Sequence, residues 1–154
     1  MTSTRPPLAA HRFTMSFSSS PRGARLARRM CEHWLDAWGV PYGNDAHDVV
    51  SLVVAELCAN AVRHGHVAGR DFHVLLTADP ATGVVRVEVT DTRGERLPAV
   101  PAASPADGEN GRGLLLVAAL ADRWGCCPRR SGGPGKTVWA ECAARGLISP
   151  PLMP

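Results

Sequence analysis

The stretch AELCANAVRHG, residues 55–65, places two polar side chains in an apolar helical segment. Glu56 and Asn60 are four residues apart, so on an α-helix they share one face and lie one turn apart. A capping pair or a solvated pair is the ordinary explanation for two polar residues on a helix. Small and apolar neighbours instead favour a narrow polar stripe that faces a lined cavity. These neighbours are Ala55, Leu57, Cys58, Ala59, Ala61 and Val62.

The two residue types suit phosphate chemistry. An asparagine carbonyl can coordinate Mg²⁺ beside phosphate groups without adding negative charge, and Mg²⁺ usually takes few protein ligands. A glutamate one turn away can orient an attacking hydroxyl and accept its proton. The spacing therefore marks Asn60 as a candidate metal ligand and Glu56 as a candidate general base.

Two helices are predicted in the first half of the chain. The helix that contains the polar stripe begins at the capping residue Asn44 or Asp45 and ends near Gly65. An earlier helix begins with a serine N-cap before Pro21 and ends near Trp38. Both carry apolar residues at helical spacing, which predicts that each buries one face.

Strand-like segments surround and follow these helices. Alternating apolar and polar residues, bounded by turn-forming residues, predict them. They cover residues 11–18, 72–78, 84–91, 124–127 and 136–142. Between the third and the fourth lie a long loop over residues 92–110, typical of a functional segment, and a third helix predicted from Leu114 to Ala121.

The stretch SGGPGKT, residues 131–137, looks like a phosphate-binding loop. That motif needs a glycine five residues before its Gly-Lys-Thr glycine, and it must open a helix. Here Arg130 occupies the earlier position, and the β-branched and aromatic residues that follow favour a strand. We therefore interpret the stretch as a hairpin turn, and we expect Lys136 to be dispensable for nucleotide binding.

Two further signals are weak when taken alone. Asp91 ends a strand, where an aspartate usually forms a turn but can also accept a hydrogen bond from an amine in a cleft. Gly111 and Gly113 precede the third predicted helix, where free N–H groups can bind phosphate, although glycines before helices are commonly simple caps.

Together, and in this order, these residues resemble the ATPase domain shared by histidine kinases, the Hsp90 chaperone, gyrase and MutL. The similarity is greatest to the anti-sigma-factor serine kinases of that group. It spans roughly residues 13–142 and is carried by ELCANAVRHG, VRVEVTDTRG, GRGLLLVAALADRWG and the closing GKTVWAE.

The resemblance implies a role for each matching residue. Asn60 would bind Mg²⁺, Glu56 would be the general base, and Asp91 would meet the adenine amine. The turn at Gly111–Gly113 would hold phosphates under a lid formed by residues 92–110. The residues implied in nucleotide binding are Asn60, Asp91, Gly94, Gly111, Arg112, Gly113, Leu114 and Thr137. In the family a glycine stands two residues after the aspartate, where this chain has Arg93 and then Gly94.

The implied fold is an α/β two-layer sandwich of the Bergerat type. Three main helices would pack on one face of a mixed, mostly antiparallel sheet. We expect one domain over residues 11–145, with flexible tails over residues 1–10 and 146–154. A chain of 154 residues with 45% hydrophobic and 20% charged residues suits a single core.

Two functions follow from the resemblance. The first is an ATP- and Mg²⁺-dependent serine/threonine protein kinase that phosphorylates a small antagonist protein and sequesters a sigma factor. The second is a non-catalytic, ATP-gated protein-binding module. A homodimer is compatible with either.

A third class of function uses charge alone. A nucleic-acid or membrane-surface binder would use the arginines of the first helix, Arg22, Arg25, Arg28 and Arg29. Simple solvation is the more ordinary role for such a face, and a net charge of +3 is mild. We therefore expect no direct nucleic-acid or membrane partner. Five cysteines without a C-x-x-C spacing predict reduced thiols and a cytoplasmic protein.

Overall fold

Eight helices and strands make up the described part of the chain. A computed structural model describes residues 10–65, 70–91, 108–129 and 135–152. In chain order the elements are β1 (His11–Ser18), α1 (Pro21–Ala37), α2 (Asp45–Gly65), β2 (Asp71–Asp79), β3 (Val84–Asp91), α3 (Gly108–Leu120), β4 (Arg123–Pro128) and β5 (Lys136–Ala143). The predicted N-terminal tail, except for residue 10, and residues 92–107 of the predicted lid lie outside the described residues.

The first two helices begin at the capping residues that the sequence indicated. Ser20 accepts a hydrogen bond from the backbone N–H of Gly23 at 3.0 Å, and Pro21 occupies the first helical position. Asn44 accepts a hydrogen bond from the N–H of Ala46 at 2.8 Å. Each cap satisfies an N–H group that the helix itself cannot pair. The predicted starts of both helices are confirmed.

The five strands form one sheet in the order β1-β2-β3-β5-β4. Every pairing between these described strands is antiparallel. The helices pack on one face: α1 covers β1, and α2 covers β2, β3 and β5. The predicted two-layer arrangement of three helices on one face of a sheet is therefore confirmed, and the described sheet is antiparallel throughout and not mixed.

The core lies between the helices and the inner face of the sheet. Alternate residues of β3 and β5 point inward and are buried, as period-two patterning requires. They are Val85, Val87 and Val89 on β3, and Val138, Ala140 and Cys142 on β5. Burial raises the pKa of the Cys31 and Cys142 thiols to about 12. The prediction of reduced core thiols holds for Cys31, Cys58 and Cys142, which are free and buried.

The chain after β5 remains packed against the domain, which differs from the predicted tail over residues 146–154. Ile148 is only 8% exposed and belongs to the core. The N–H of Ser149 donates to the carbonyl of Trp38 at 2.8 Å, and its own carbonyl accepts from His11 Nε2 at 2.6 Å. The sequence did not indicate this packing, because four apolar residues interrupted by prolines give no periodic signal.

Within the residues that the structure describes, no helix combines the length and the apolar character needed to span a bilayer.

Candidate functional site

The side-chain oxygen of Asn60 is a buried acceptor with no hydrogen-bond partner in the described structure. Asn60 is 2% exposed and lies in the second half of α2. Buried polar atoms in folded proteins nearly always have a partner, and an exception calls for an explanation such as an absent ion. This atom therefore fits a metal ligand.

A metal ion at Asn60 would have few protein ligands among the described residues. The described ranges contain no group of three or more histidine, cysteine, aspartate or glutamate side chains placed to hold an ion. Mg²⁺ beside a nucleotide needs only one or two protein oxygens, because phosphates and water complete its octahedron. Asn60 alone can supply that contribution.

Glu56 lies one turn before Asn60 and faces α3. A Cβ atom placed on Gly113 would lie 2.9 Å from Oε2 of Glu56 and 3.6 Å from Nη2 of Arg63. Gly113 therefore lets α3 approach the Glu56 carboxylate closely. Leu114, the next residue, is buried and belongs to the core. Among residues 111–114, which were predicted to bind phosphate, Gly113 therefore lies next to Glu56, the candidate base.

The start of α3 differs from the prediction. The helix begins at Gly108 rather than Leu114, so Gly111 and Gly113 lie within it and do not form a turn before it. The N–H groups at these positions are therefore not all free in this conformation, since only the first four of a helix lack partners. Gly94 and the side chain of Arg112 lie outside what the structure describes.

Asp91 is paired with Lys136. Asp91 is the last residue of β3 and Lys136 is the first residue of β5, and the two lie directly opposite each other in the sheet. Lys136 Nζ is 3.4 Å from Asp91 Oδ2. The two residues are only 3% and 4% exposed, respectively. The residue expected to contact adenine therefore carries a buried counter-ion.

The glycine-rich stretch leads into a strand, as predicted, and not into a helix. β4 and β5 pair antiparallel, and Arg129 N–H donates to the carbonyl of Gly135 at 3.1 Å next to their connection. Gly135 has a φ of 143°, and a Cβ atom there would overlap the carbonyl oxygen of Asp91. Gly135 therefore brings the start of β5 against the end of β3.

The structure does not bring Thr137 to Asp91. Residues directly opposite in an antiparallel pair share a face, and successive residues alternate. Thr137 lies opposite Thr90, with their hydroxyl oxygens 2.8 Å apart, on the face away from Asp91. Lys136 shares the face of Asp91 instead. The burial of Lys136 on this face was not predicted, although the alternation of β5, counted back from Cys142, Ala140 and Val138, indicates it.

Three helices on one face of a five-stranded antiparallel sheet form an α/β two-layer sandwich. A family model of the histidine kinase-like ATPase domain matches residues 17–141. The chain belongs to this family.

Among solved structures, the chain is similar to the crystal structure of the RsbU and RsbW domains of Rv1364c from Mycobacterium tuberculosis. The TM-score is 0.60 at 19% identity, which shows a common fold. The match covers 91% of this chain and 35% of that one, so this chain spans about a third of its length. No curated protein matches the chain.

Proposed function

We propose that the protein is an ATP- and Mg²⁺-dependent serine/threonine kinase of the anti-sigma-factor type. Its substrate would be a small antagonist protein, and it would also sequester a sigma factor. The observation that carries the proposal is the buried, unpartnered oxygen of Asn60 one turn from Glu56. The family supports ATP binding, and the similarity to a structure that contains an RsbW domain supports a protein partner.

In this proposal each candidate site residue has one role. Bound Mg²⁺ would neutralise charge on the phosphates, and Asn60 would hold it. Glu56 would accept the proton of the partner's hydroxyl as that hydroxyl attacks the terminal phosphate. Asp91 would accept a hydrogen bond from the adenine amine and so orient the nucleotide. Gly94 and the segment 111–114 would lie along the phosphates.

The location and the partners are part of the same proposal. A cytoplasmic location agrees with five free thiols. Protein partners, and not nucleic acid or membrane, are proposed because at least one arginine of α1 is used inside the fold. Arg28 Nε donates to Ser51 Oγ at 3.0 Å, and Ser51 donates to Glu32 at 2.8 Å, which ties α1 to α2.

The test is single-turnover phosphoryl transfer from labelled ATP to the antagonist protein, with wild type compared with Glu56→Gln. The substitution is nearly isosteric, so we expect ATP affinity to stay within a few-fold. Transfer should fall by about 10² to 10⁴, the usual contribution of a positioned general base. Glu88→Gln is the matched control, because Glu88 is a half-buried glutamate that pairs with Arg86 at 3.1 Å on the outer face of the sheet. Transfer that survives Glu56→Gln would remove the assignment of the base.

A non-catalytic, ATP-gated binding module is the second candidate. The close packing of α3 at Gly113 against Glu56 favours it, because the carboxylate is covered on that side. In that case wild type and Glu56→Gln would both show negligible transfer. Both would still change their affinity for the partner when ATP is added, which a pull-down with and without ATP measures.

A further inference from the structure

Lys136 and Asp91 form a buried ion pair at one end of an otherwise apolar surface. The inward-facing residues before Asp91 on β3 and after Lys136 on β5 are buried and apolar or, at Cys142, a thiol. The last of them on each strand are Val89 and Val138. The ion pair therefore lies at the edge of the sheet where β3 ends and β5 begins.

Stability alone does not account for charges at this place. Removing two ions from water costs several kcal/mol each, and apolar residues of similar volume usually serve a core as well or better. A buried ion pair at the end of two strands is better explained by a binding site, where a ligand adds hydrogen bonds to both charges. The pair is also fixed in position, because the backbone at Gly135 packs against the carbonyl of Asp91.

The two side chains together present an acceptor beside a donor. A carboxylate only accepts hydrogen bonds, whereas an ammonium carries three N–H donors, of which the ion pair engages one. The Watson–Crick edge of adenine offers the complementary order, since the exocyclic amine donates and the adjacent ring nitrogen, N1, accepts.

We propose that Lys136 is a specificity-determining residue that donates a hydrogen bond to N1 of adenine beside the amine accepted by Asp91. This inference rests on the proposed nucleotide site. It replaces the expectation that Lys136 is dispensable, and it assigns to Lys136 the place in the base pocket that the sequence resemblance gave to Thr137. Lys136 would thus read the base, and would not reach the phosphates as a phosphate-loop lysine does.

The N1 contact can be tested on wild-type protein with three ligands. ATP, 1-deaza-ATP and 7-deaza-ATP are each titrated by calorimetry in the presence of Mg²⁺. We expect 1-deaza-ATP, which has a C–H group in place of N1, to bind about 10- to 100-fold more weakly than ATP, as befits a lost hydrogen bond to a charged donor. The control is 7-deaza-ATP, which alters the ring nitrogen on the other side of the amine and should bind within a few-fold of ATP. Equal affinity for ATP and 1-deaza-ATP would overturn the proposal.

A variant then assigns the contact to Lys136. Lys136→Met keeps most of the side-chain length and removes the donor. We expect it to bind ATP about as weakly as it binds 1-deaza-ATP, so that the discrimination disappears. Discrimination that persists in the variant would show that another group contacts N1. If the lone buried carboxylate prevents folding, the double variant Asp91→Asn, Lys136→Met removes both charges and answers the same question. Wild type that binds none of the three nucleotides would instead refute the nucleotide site itself.

Discussion

At the scale of single residues, the side-chain oxygen of Asn60 is the atom best suited to contact a ligand. An unsatisfied buried acceptor costs about 1–3 kcal/mol, and no described neighbour offsets that cost. A cation that binds there would relieve it. Removal of this oxygen should therefore change two measurable quantities, the stability of the free protein and its affinity for a cation.

Asn60→Ala should weaken ATP binding only when Mg²⁺ is present. Its free energy of unfolding without ligand should be unchanged or higher, because the substitution removes an unpaired acceptor and gives alanine, the best helix former. Calorimetric titration with and without Mg²⁺, together with urea unfolding, measures both effects.

Asn44→Ala is the matched control for this prediction. It makes the same substitution at the N-cap of the same helix, where the side chain accepts from Ala46 N–H. Loss of a cap costs about 1 kcal/mol of stability, and ATP affinity should be unaffected. An Asn60→Ala protein with the Mg²⁺-dependent affinity of wild type would contradict the metal assignment.

Part of this site could be predicted from local spacing alone. Glu56 and Asn60 were chosen as candidates because a helix repeats every 3.6 residues, and Asp91 because it ends an alternating strand. The sequence could not show that Thr137 lies on the face away from Asp91, because the choice between two adjacent strand residues depends on the register of β5 against β3. A shift of one residue reverses which face a side chain occupies, so only the tertiary pairing identifies Lys136.

At the scale of elements, the contact between α2 and α3 controls the candidate base. The early start of α3 at Gly108 was not predictable, because Gly108, Asn110 and Gly111 have low intrinsic helix propensity. Packing against α2 and the sheet outweighs that propensity, as it does for most helices in proteins. The glycine at position 113 then has a steric role in addition to any role in binding.

Gly113→Ala should reduce phosphoryl transfer while leaving the stability of the fold nearly unchanged. The new methyl group would lie 2.9 Å from Glu56 Oε2 and must displace that carboxylate. Stability should change little, because the end of a glutamate moves easily and alanine gains up to about 1 kcal/mol of helix propensity. If the protein is a kinase, phosphoryl transfer should fall about 10- to 100-fold, since a misplacement of about 1 Å can cost that much.

A double-variant comparison shows whether this loss acts through Glu56. Residues that contact each other are not additive, so adding Gly113→Ala to Glu56→Gln should reduce transfer little further. A full additional loss in the double variant would mean that Gly113 acts elsewhere, for example on the phosphates directly. Transfer and urea unfolding of the four proteins give the comparison.

At the scale of the whole molecule, the sheet order brings distant segments together. β5 inserts between β3 and β4, so Asp91 and Lys136 become neighbours across 45 positions of chain. The sequence indicated each strand because periodicity is local. It could not give the pairing of β3 with β5, nor the packing of the chain after β5, because both depend on contacts that no local pattern records.

The residues after β5 pack against the core through Ile148, and their removal should destabilise the protein. A chain that ends at Arg145 loses the burial of Ile148, worth about 1.5–3 kcal/mol. It also loses the hydrogen bonds of Ser149 to Trp38 and His11, each worth about 1 kcal/mol net. Together these contributions give an expected loss of about 3.5–5 kcal/mol in the free energy of unfolding, measured with urea.

A chain that ends at Pro150 is the control for this truncation, since it keeps Ile148 and Ser149 and lacks only the final residues. It should unfold at nearly the same urea concentration as the full chain. Equal stability of the chain ending at Arg145 would restore the boundary that composition suggested at residue 145. A loss confined to that shorter chain would instead show that the domain extends at least to Ser149. The ends of β1 and α1 are then held by residues that follow the last strand, because Ser149 bonds to one residue at the start of β1 and to another just after α1.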